Sequence, residues 1–220
     1  MGFWDLLTPD DQRVLRDLGS DRQYPPGATI CVEGDPATHV FVLLQGWVKI
    51  IAVTDSGHEA ILALRGEGDL VGEIAGEIGG RRTAAMRAID GVHALLIAFD
   101  RFNSFLDTHP RASHAFRHMM TQRWNDAETM LRKRPFTSGA QRVAGLLLEL
   151  AERHGSQAGD AIQIELPLSQ EELASLAGTS RATVARALNN WRKRGFIRSG
   201  PRRITLVNVQ GLRRAAGPAT

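Results

Sequence analysis

From 101 to 133 the chain has no glycine, and the stretch just before it is cut by turn-forming residues every few positions. That contrast constrains the fold more than any single motif. Between Tyr24 and Phe99, turn signals stand at Pro25-Pro26-Gly27, Gly34-Asp35-Pro36, Gly46, Asp55-Ser56-Gly57, Gly66-Glu67-Gly68-Asp69 and Asp90-Gly91. The apolar runs between them, 29–32, 40–44, 48–53, 60–64 and 92–99, are strand-sized. Short strands at this spacing predict a β-sandwich or roll. Ahead of it, Thr8-Pro9-Asp10-Asp11 reads as a helix start, with Thr8 as N-cap, and Gly19 reads as its stop.

The glycine-free stretch predicts one long helix over about 111–133. Two apolar stripes run along it. Phe116, Met119 and Met130 form the first. Met120, Trp124, Ala127 and Leu131 step by four, three and four, the spacing of a coiled-coil seam. A single stripe would serve packing on the chain's own β-region. With two, one covers the β-region and the other meets a second copy, so a homodimer is expected. Pro135 ends the helix, and Thr137-Ser138 caps the next. The stretch 142–153 reads as an amphipathic helix, 155–159 as a polar loop, 162–166 as a strand, and 211–220 as a frayed tail.

Charge divides the chain as well. Residues 1–134 hold 15 basic and 18 acidic side chains, and 135–220 hold 12 and 6, so the +6 of the C-terminal part outweighs the −3 before it. Such asymmetry points to a polyanion-binding module at the C-terminal end. Within it, Ser169-Gln170-Glu171-Glu172 caps a short helix. Gly178 permits a sharp turn, and Ser180 caps a second helix from Arg181 to about Arg194. Val184, Ala185, Leu188 and Trp191 would face inward. Arg181, Ala182, Thr183 and Arg186 would face out near the N-terminus, where a recognition helix meets base edges. Residues 195–206 read as a hairpin whose basic tip, Arg202 and Arg203, holds phosphates. A plain helical pair is the bland alternative, but capping, turn, arginines, wing and charge agree on a winged helix-turn-helix.

Inside the β-region, Val71-Gly72-Glu73-Ile74-Ala75 and Gly79-Gly80-Arg81-Arg82-Thr83 make a second cluster. Gly72 allows close backbone approach. Glu73 opens a helical turn with free amides, Arg82 brings a full charge, and Thr83 a hydroxyl. Together these suit a cyclic phosphate, with the carboxylate for a ribose hydroxyl. On the residues alone, turns and a surface ion pair explain the cluster as well.

The order and spacing of Tyr24-Pro25-Pro26-Gly27, Glu33-Gly34-Asp35-Pro36-Ala37, Leu44-Gln45-Gly46-Trp47-Val48-Lys49, Gly72-Glu73 with Arg82-Thr83-Ala84, and 168–186 resemble the CRP/FNR (catabolite-activator-type) family of bacterial transcription regulators, over nearly the whole chain. The resemblance implies an α+β architecture. It would comprise a cyclic-nucleotide-binding β-roll (double-stranded β-helix or jelly roll) over 1–110, a dimerisation helix over 111–134 and a winged helix-turn-helix over 135–220. It implies ligand contacts from Gly72, Glu73, Ile74, Arg82 and Thr83, with Glu128 on the long helix, and an allosteric effector, cyclic AMP or a relative. It implies DNA contacts from Gln170, Ser180, Arg181, Ala182, Thr183, Arg186, Arg202 and Arg203, and a dimer interface of Met120, Trp124, Ala127 and Leu131. The partners implied are a near-palindromic duplex, a second copy and, for an activator, RNA polymerase. The alternative within the same fold is a roll that binds a different effector or none.

Three departures from the family stand out. Ala127 and Glu128 replace hydroxyl residues that meet the base. Gly76-Glu77 replaces an apolar pair, which predicts a looser turn. Ala182 replaces a glutamate that accepts from cytosine, and can at most touch a thymine methyl.

Other classes find less support. No G-x-S-x-G, H-E-x-x-H or P-loop occurs, so no enzyme and no catalytic residue is expected. A single cysteine, Cys31, excludes an internal disulfide and a cysteine-held iron–sulfur cluster. The seven histidines, among them His39, His58 and His93, lack metal-ligand spacing, so no metal and no required cofactor is expected. A nucleotide-binding module acting on a protein partner is disfavoured by the basic winged helix. The apolar share of 43% excludes wholesale disorder. No run of about 18 apolar residues occurs, and the start shows no basic region ahead of an apolar stretch. A cytoplasmic protein is expected.

Overall fold

A computed structural model of the chain describes residues 2–53, 59–77, 80–133, 137–165 and 168–217, with side chains throughout except at 77 and 130–133. The expected turn at Asp55-Ser56-Gly57, His58, Gly79, the helix stop at Pro135 and the side chains of Met130 and Leu131 lie outside these residues. The chain divides into two compact units, Met1–Ala127 and Glu128–Thr220.

The first unit opens with a 3-10 turn, Trp4–Leu6, and helix α1, Pro9–Leu18. Thr8 and Asp11 form a reciprocal capping box at the start of α1, as the sequence predicts. Strands β1 (Ser20–Tyr24), β2 (Thr29–Cys31), β3 (His39–Gln45), β4 (Val48–Val53), β5 (Glu59–Arg65) and β6 (Leu70–Val71) follow. After them come the short helix α2 (Glu73–Glu77), β7 (Ala85–Ala88) and β8 (Val92–Ala98). They form two four-stranded antiparallel sheets, ordered β1-β8-β3-β6 and β2-β7-β4-β5. Helices α3 (Phe99–Thr108) and α4 (Pro110–Lys133) complete the unit's elements, α4 continuing past its end.

β3 shows why the roll holds. Its side chains alternate between two cores, as period-two geometry demands. Val40 and Val42 face Phe3, Leu15, Phe102, Phe105, Ala112 and Met119. Phe41 and Leu43 face Val48, Val71, Met86 and Val92 between the sheets. A strand covered on both faces reads as an unbroken apolar run, and 40–44 is one. Phe3, fully buried, meets Phe102 and Phe116 edge-on at 6.0 and 6.4 Å, joining the N-terminal turn to α3 and α4.

The second unit holds α5 (Gly139–His154), β9 (Ser156–Ala158), β10 (Ala161–Glu165), α6 (Gln170–Leu176), α7 (Arg181–Lys193), β11 (Ile197–Gly200), β12 (Arg203–Leu206) and α8 (Val209–Ala216). Its sheet runs β11-β12-β10-β9. Two expectations are corrected here. The polar loop at 155–159 contains β9, which pairs with β10. The supposed frayed tail from 211 belongs to α8, a helix capped by Asn208 and packed on α5 with Leu212 fully buried. Gly211 lies so close to Phe196 that a Cβ there would sit 2.7 Å from its ring, so the small residue marks tight packing.

Candidate nucleotide and DNA-reading sites

The roll's candidate site begins where β6 ends. Gly72 has φ +84°, which favours glycine, and a Cβ there would lie 2.4 Å from Nη1 of Arg82. Two independent constraints therefore keep a side chain off position 72. Arg82 is only 6% exposed. Its Nη1 donates to the carbonyl of Gly72 (3.2 Å) and its Nη2 to that of His39 (2.8 Å). The guanidinium lies 5.1 Å from the centre of the Phe41 ring. The Arg82 backbone exchanges hydrogen bonds with the 34–35 turn, at 2.8 Å each. Burial pulls the Arg82 pKa down, against the opposing pull of Cys31, Asp35 and Glu73, and an arginine stays charged regardless. Among the described residues no carboxylate forms an ion pair with it.

Glu73 is 4% exposed and already engaged. Its Oε1 accepts from Arg123 Nη1 at 2.5 Å. Arg123 Nη2 also donates to the carbonyl of Leu70 (2.9 Å) and, more distantly, to Asp69 Oδ1 (3.5 Å). Sequence reasoning missed Arg123, which lies 50 residues from Glu73. A signal was present: Ala112, Ala115 and Met119 form the face of α4 against the roll, and Arg123 is the next step of four.

The other expected ligand residues are more open. Ile74 is 45% exposed, and Thr83, Ala127 and Glu128 are exposed. At Gly76, the first residue of the Gly76-Glu77 pair, a Cβ would sit 2.1 Å from the Phe99 ring, so the glycine lets α2 close onto that aromatic. Cys31 lies near Arg82, but burial pushes its thiol upward, away from the reactive thiolate. Of the expected dimer seam, Trp124 is 73% exposed and Ala127 exposed, while Met120 is half-buried against the roll core.

In the second unit, Ser169 caps α6 in a box with Glu172, and Ser180 caps α7 by accepting from the Thr183 amide at 3.2 Å. Between the helices Gly178 has φ +56°. The Thr179 amide donates to the carbonyl of Ala174, whose methyl is buried. Val184, Ala187, Leu188 and Trp191 face inward, Ala187 taking the place expected of Ala185, which is half-buried. Gln170, Arg181, Ala182 and Arg186 are exposed. Thr183 is half-buried, its hydroxyl bonded to that of Ser180 at 3.0 Å. The wing turns at Pro201-Arg202, with Arg202 in the left-handed region (φ +54°) and Arg202 and Arg203 both exposed.

With this geometry in view, the comparisons with known proteins are specific. The family model of the cyclic nucleotide-binding domain matches residues 21–109, and that of the Crp-like helix-turn-helix domain matches 141–215. The chain is 33% identical to the CRP-like cAMP-activated global transcriptional regulator of Mycobacterium tuberculosis, over 98% of this chain and 96% of that one. It is 31% identical to the cyclic AMP receptor protein of Thermus thermophilus, over 89% and 87%. It superposes on the solved structure of FixK2 from Bradyrhizobium japonicum with a TM-score of 0.81, at 25% identity, over 92% and 99%. The chain belongs to the CRP/FNR family of transcription regulators, with a cyclic nucleotide-binding domain followed by a Crp-like helix-turn-helix domain that binds DNA.

Proposed function

We propose that this regulator works in the cytoplasm as a homodimer that reads a near-palindromic duplex, under the control of a cyclic nucleotide held in the roll. It carries out no catalysis in this reading. Two α7 helices, about 34 Å apart, enter successive major grooves with Arg181, Ala182 and Arg186 toward the bases. Gln170, Ser180, Arg202 and Arg203 hold phosphates. Where the bound dimer activates, RNA polymerase is its further partner.

The observation that carries nucleotide control is Arg82. A buried guanidinium bonded to carbonyls and set over the Phe41 ring, with no carboxylate in an ion pair with it among the described residues, keeps a positive charge that favours an anion beside it. A cyclic phosphate with Thr83 near it meets that need. Glu73, shared with Arg123, meets the ribose. Ala127 offers a base no hydrogen bond, and the Glu128 carboxylate beside it is the group assigned to accept from an exocyclic amine. The nucleotide acts by binding the DNA-competent dimer more tightly than the incompetent one.

Calorimetry with cyclic AMP and cyclic GMP tests this directly. The expected result is a Kd on the order of micromolar for one of them, lost in Arg82→Ala, with tighter operator binding when it is present. A second reading, in which the roll takes a different effector or none, is favoured by the full engagement of Glu73 with Arg123. Absence of heat from both nucleotides, with operator affinity unchanged by either, would establish that second reading and leave DNA binding intact.

A further inference from the structure

Gly178 is the only residue with positive φ in the segment joining α6 to α7. It lacks a Cβ, so its own backbone does little to fix the angle between the two helices. Something else must fix it, and α5 supplies the group. Arg142 Nε donates to the carbonyl of Ala177 at 2.7 Å, and Nη2 donates to that of Gly178, also at 2.7 Å. These are the two peptide carbonyls on either side of the Gly178 Cα. Nη1 donates to the carbonyl of Thr137 at 2.6 Å, just ahead of the α5 cap. The same end of α5 sits against the joint: a Cβ on Gly139 would lie 2.1 Å from Thr179 Oγ1 and 3.1 Å from Thr183 Cγ2.

We infer that Arg142 is a positioning residue for DNA reading: its three-pronged bond to Thr137, Ala177 and Gly178 sets the angle at which α7 is presented. The inference rests on the DNA-reading role of α7. Arginine suits the task because its donors project from a rigid plane in three directions, all charge-assisted. Lysine has one flexible centre and cannot serve three carbonyls in this arrangement. A joint held at one angle sharpens discrimination among sequences. It matters much less for attraction to the phosphate backbone, which depends on total charge.

The test uses the full-length protein and duplexes that it selects itself from a randomised pool. Affinities for a selected and a random duplex are compared for the wild type, Arg142→Gln and Arg142→Lys across several salt concentrations. Hydrogen exchange is followed at the Gly178 and Thr179 amides. In Arg142→Gln the selected-to-random ratio is expected to fall about tenfold or more, roughly the loss of one charge-assisted hydrogen bond. Binding to random duplex should stay within about twofold, with its salt slope unchanged. Both amides should exchange faster, and Arg142→Lys should recover only part of the ratio. A folded Arg142→Gln that keeps the wild-type ratio overturns the inference. So does a parallel fall in both affinities, or loss of the folded second unit in both variants, which would make Arg142 a folding residue. A wild type that selects no duplex would instead remove the DNA-reading role, and the inference with it.

Discussion

Arg82 and Glu73 are both buried charges, but they are compensated differently. Glu73 has a cationic partner in Arg123, whereas Arg82 has carbonyl dipoles and an aromatic face. Removing one member of a buried pair strands the other, at a cost of about 3–5 kcal/mol. Arg123→Met should therefore lower stability by roughly that amount, and adding Glu73→Gln should restore much of it. Urea titration of the four proteins measures the coupling, and additive losses would show that the two side chains do not depend on each other. At the surface, Glu59 grips Arg87 through two hydrogen bonds of 2.9 and 2.7 Å. Those bonds hold the Glu59 carboxyl below the ordinary carboxylate range. A depressed carboxyl adds stability above its unfolded pKa of about 4.3 and loses it as the pH falls through the folded value. The pair is exposed and its contribution is small. The melting-temperature gap between wild type and Glu59→Gln should be open at pH 7 and close below about pH 4. A gap that stays constant with pH would assign the effect to packing.

At the scale of elements, the proposed DNA contacts divide between α7 and the wing. Arg181→Ala and Arg186→Ala should each cost about 1–3 kcal/mol on a preferred duplex and relax base preference at one position. Arg203→Ala on the wing should weaken all duplexes alike and flatten the salt slope. Binding measured against a panel of single-base variants separates the two patterns. An unchanged preferred motif in Arg186→Ala would mean that α7 does not lie in the groove as proposed. This element was also among the most legible in the sequence. Ser169, Gly178 and Ser180 act within a few residues of their own backbone, so their spacing alone announces cap, turn and cap. β3 was legible for a related reason, because burial on both faces leaves an unbroken apolar run. The order of strands in the sheets was not, since β3 pairs with β8 and β4 with β7 across long stretches of chain. Nor was the link from Arg123 to Glu73, which only the folded roll brings together. α8 was missed, its residues from 211 on being read as a tail. Its stability comes from Leu212 and from the fit under Phe196, which no local pattern reports.

For the molecule as a whole, exposure at α4 sets the expected state in solution. Trp124 is 73% exposed on a long helix, and in the proposed homodimer a second copy placed along the same seam would cover it. Trp124→Glu should shift the protein to single copies in sedimentation, with each folded unit intact, and should weaken operator binding because two half-sites no longer engage together. An unshifted dimer would place the interface elsewhere. One consequence of that exposed indole is optical. Trp47 and Trp191 are buried, at 8% and 3% exposed, and Trp4 is half-covered by its own chain. Only Trp124 would change from wet to dry when two chains meet, so emission colour becomes a built-in gauge of pairing. Dilution should redden the fluorescence of the natural protein and leave that of Trp124→Phe unmoved.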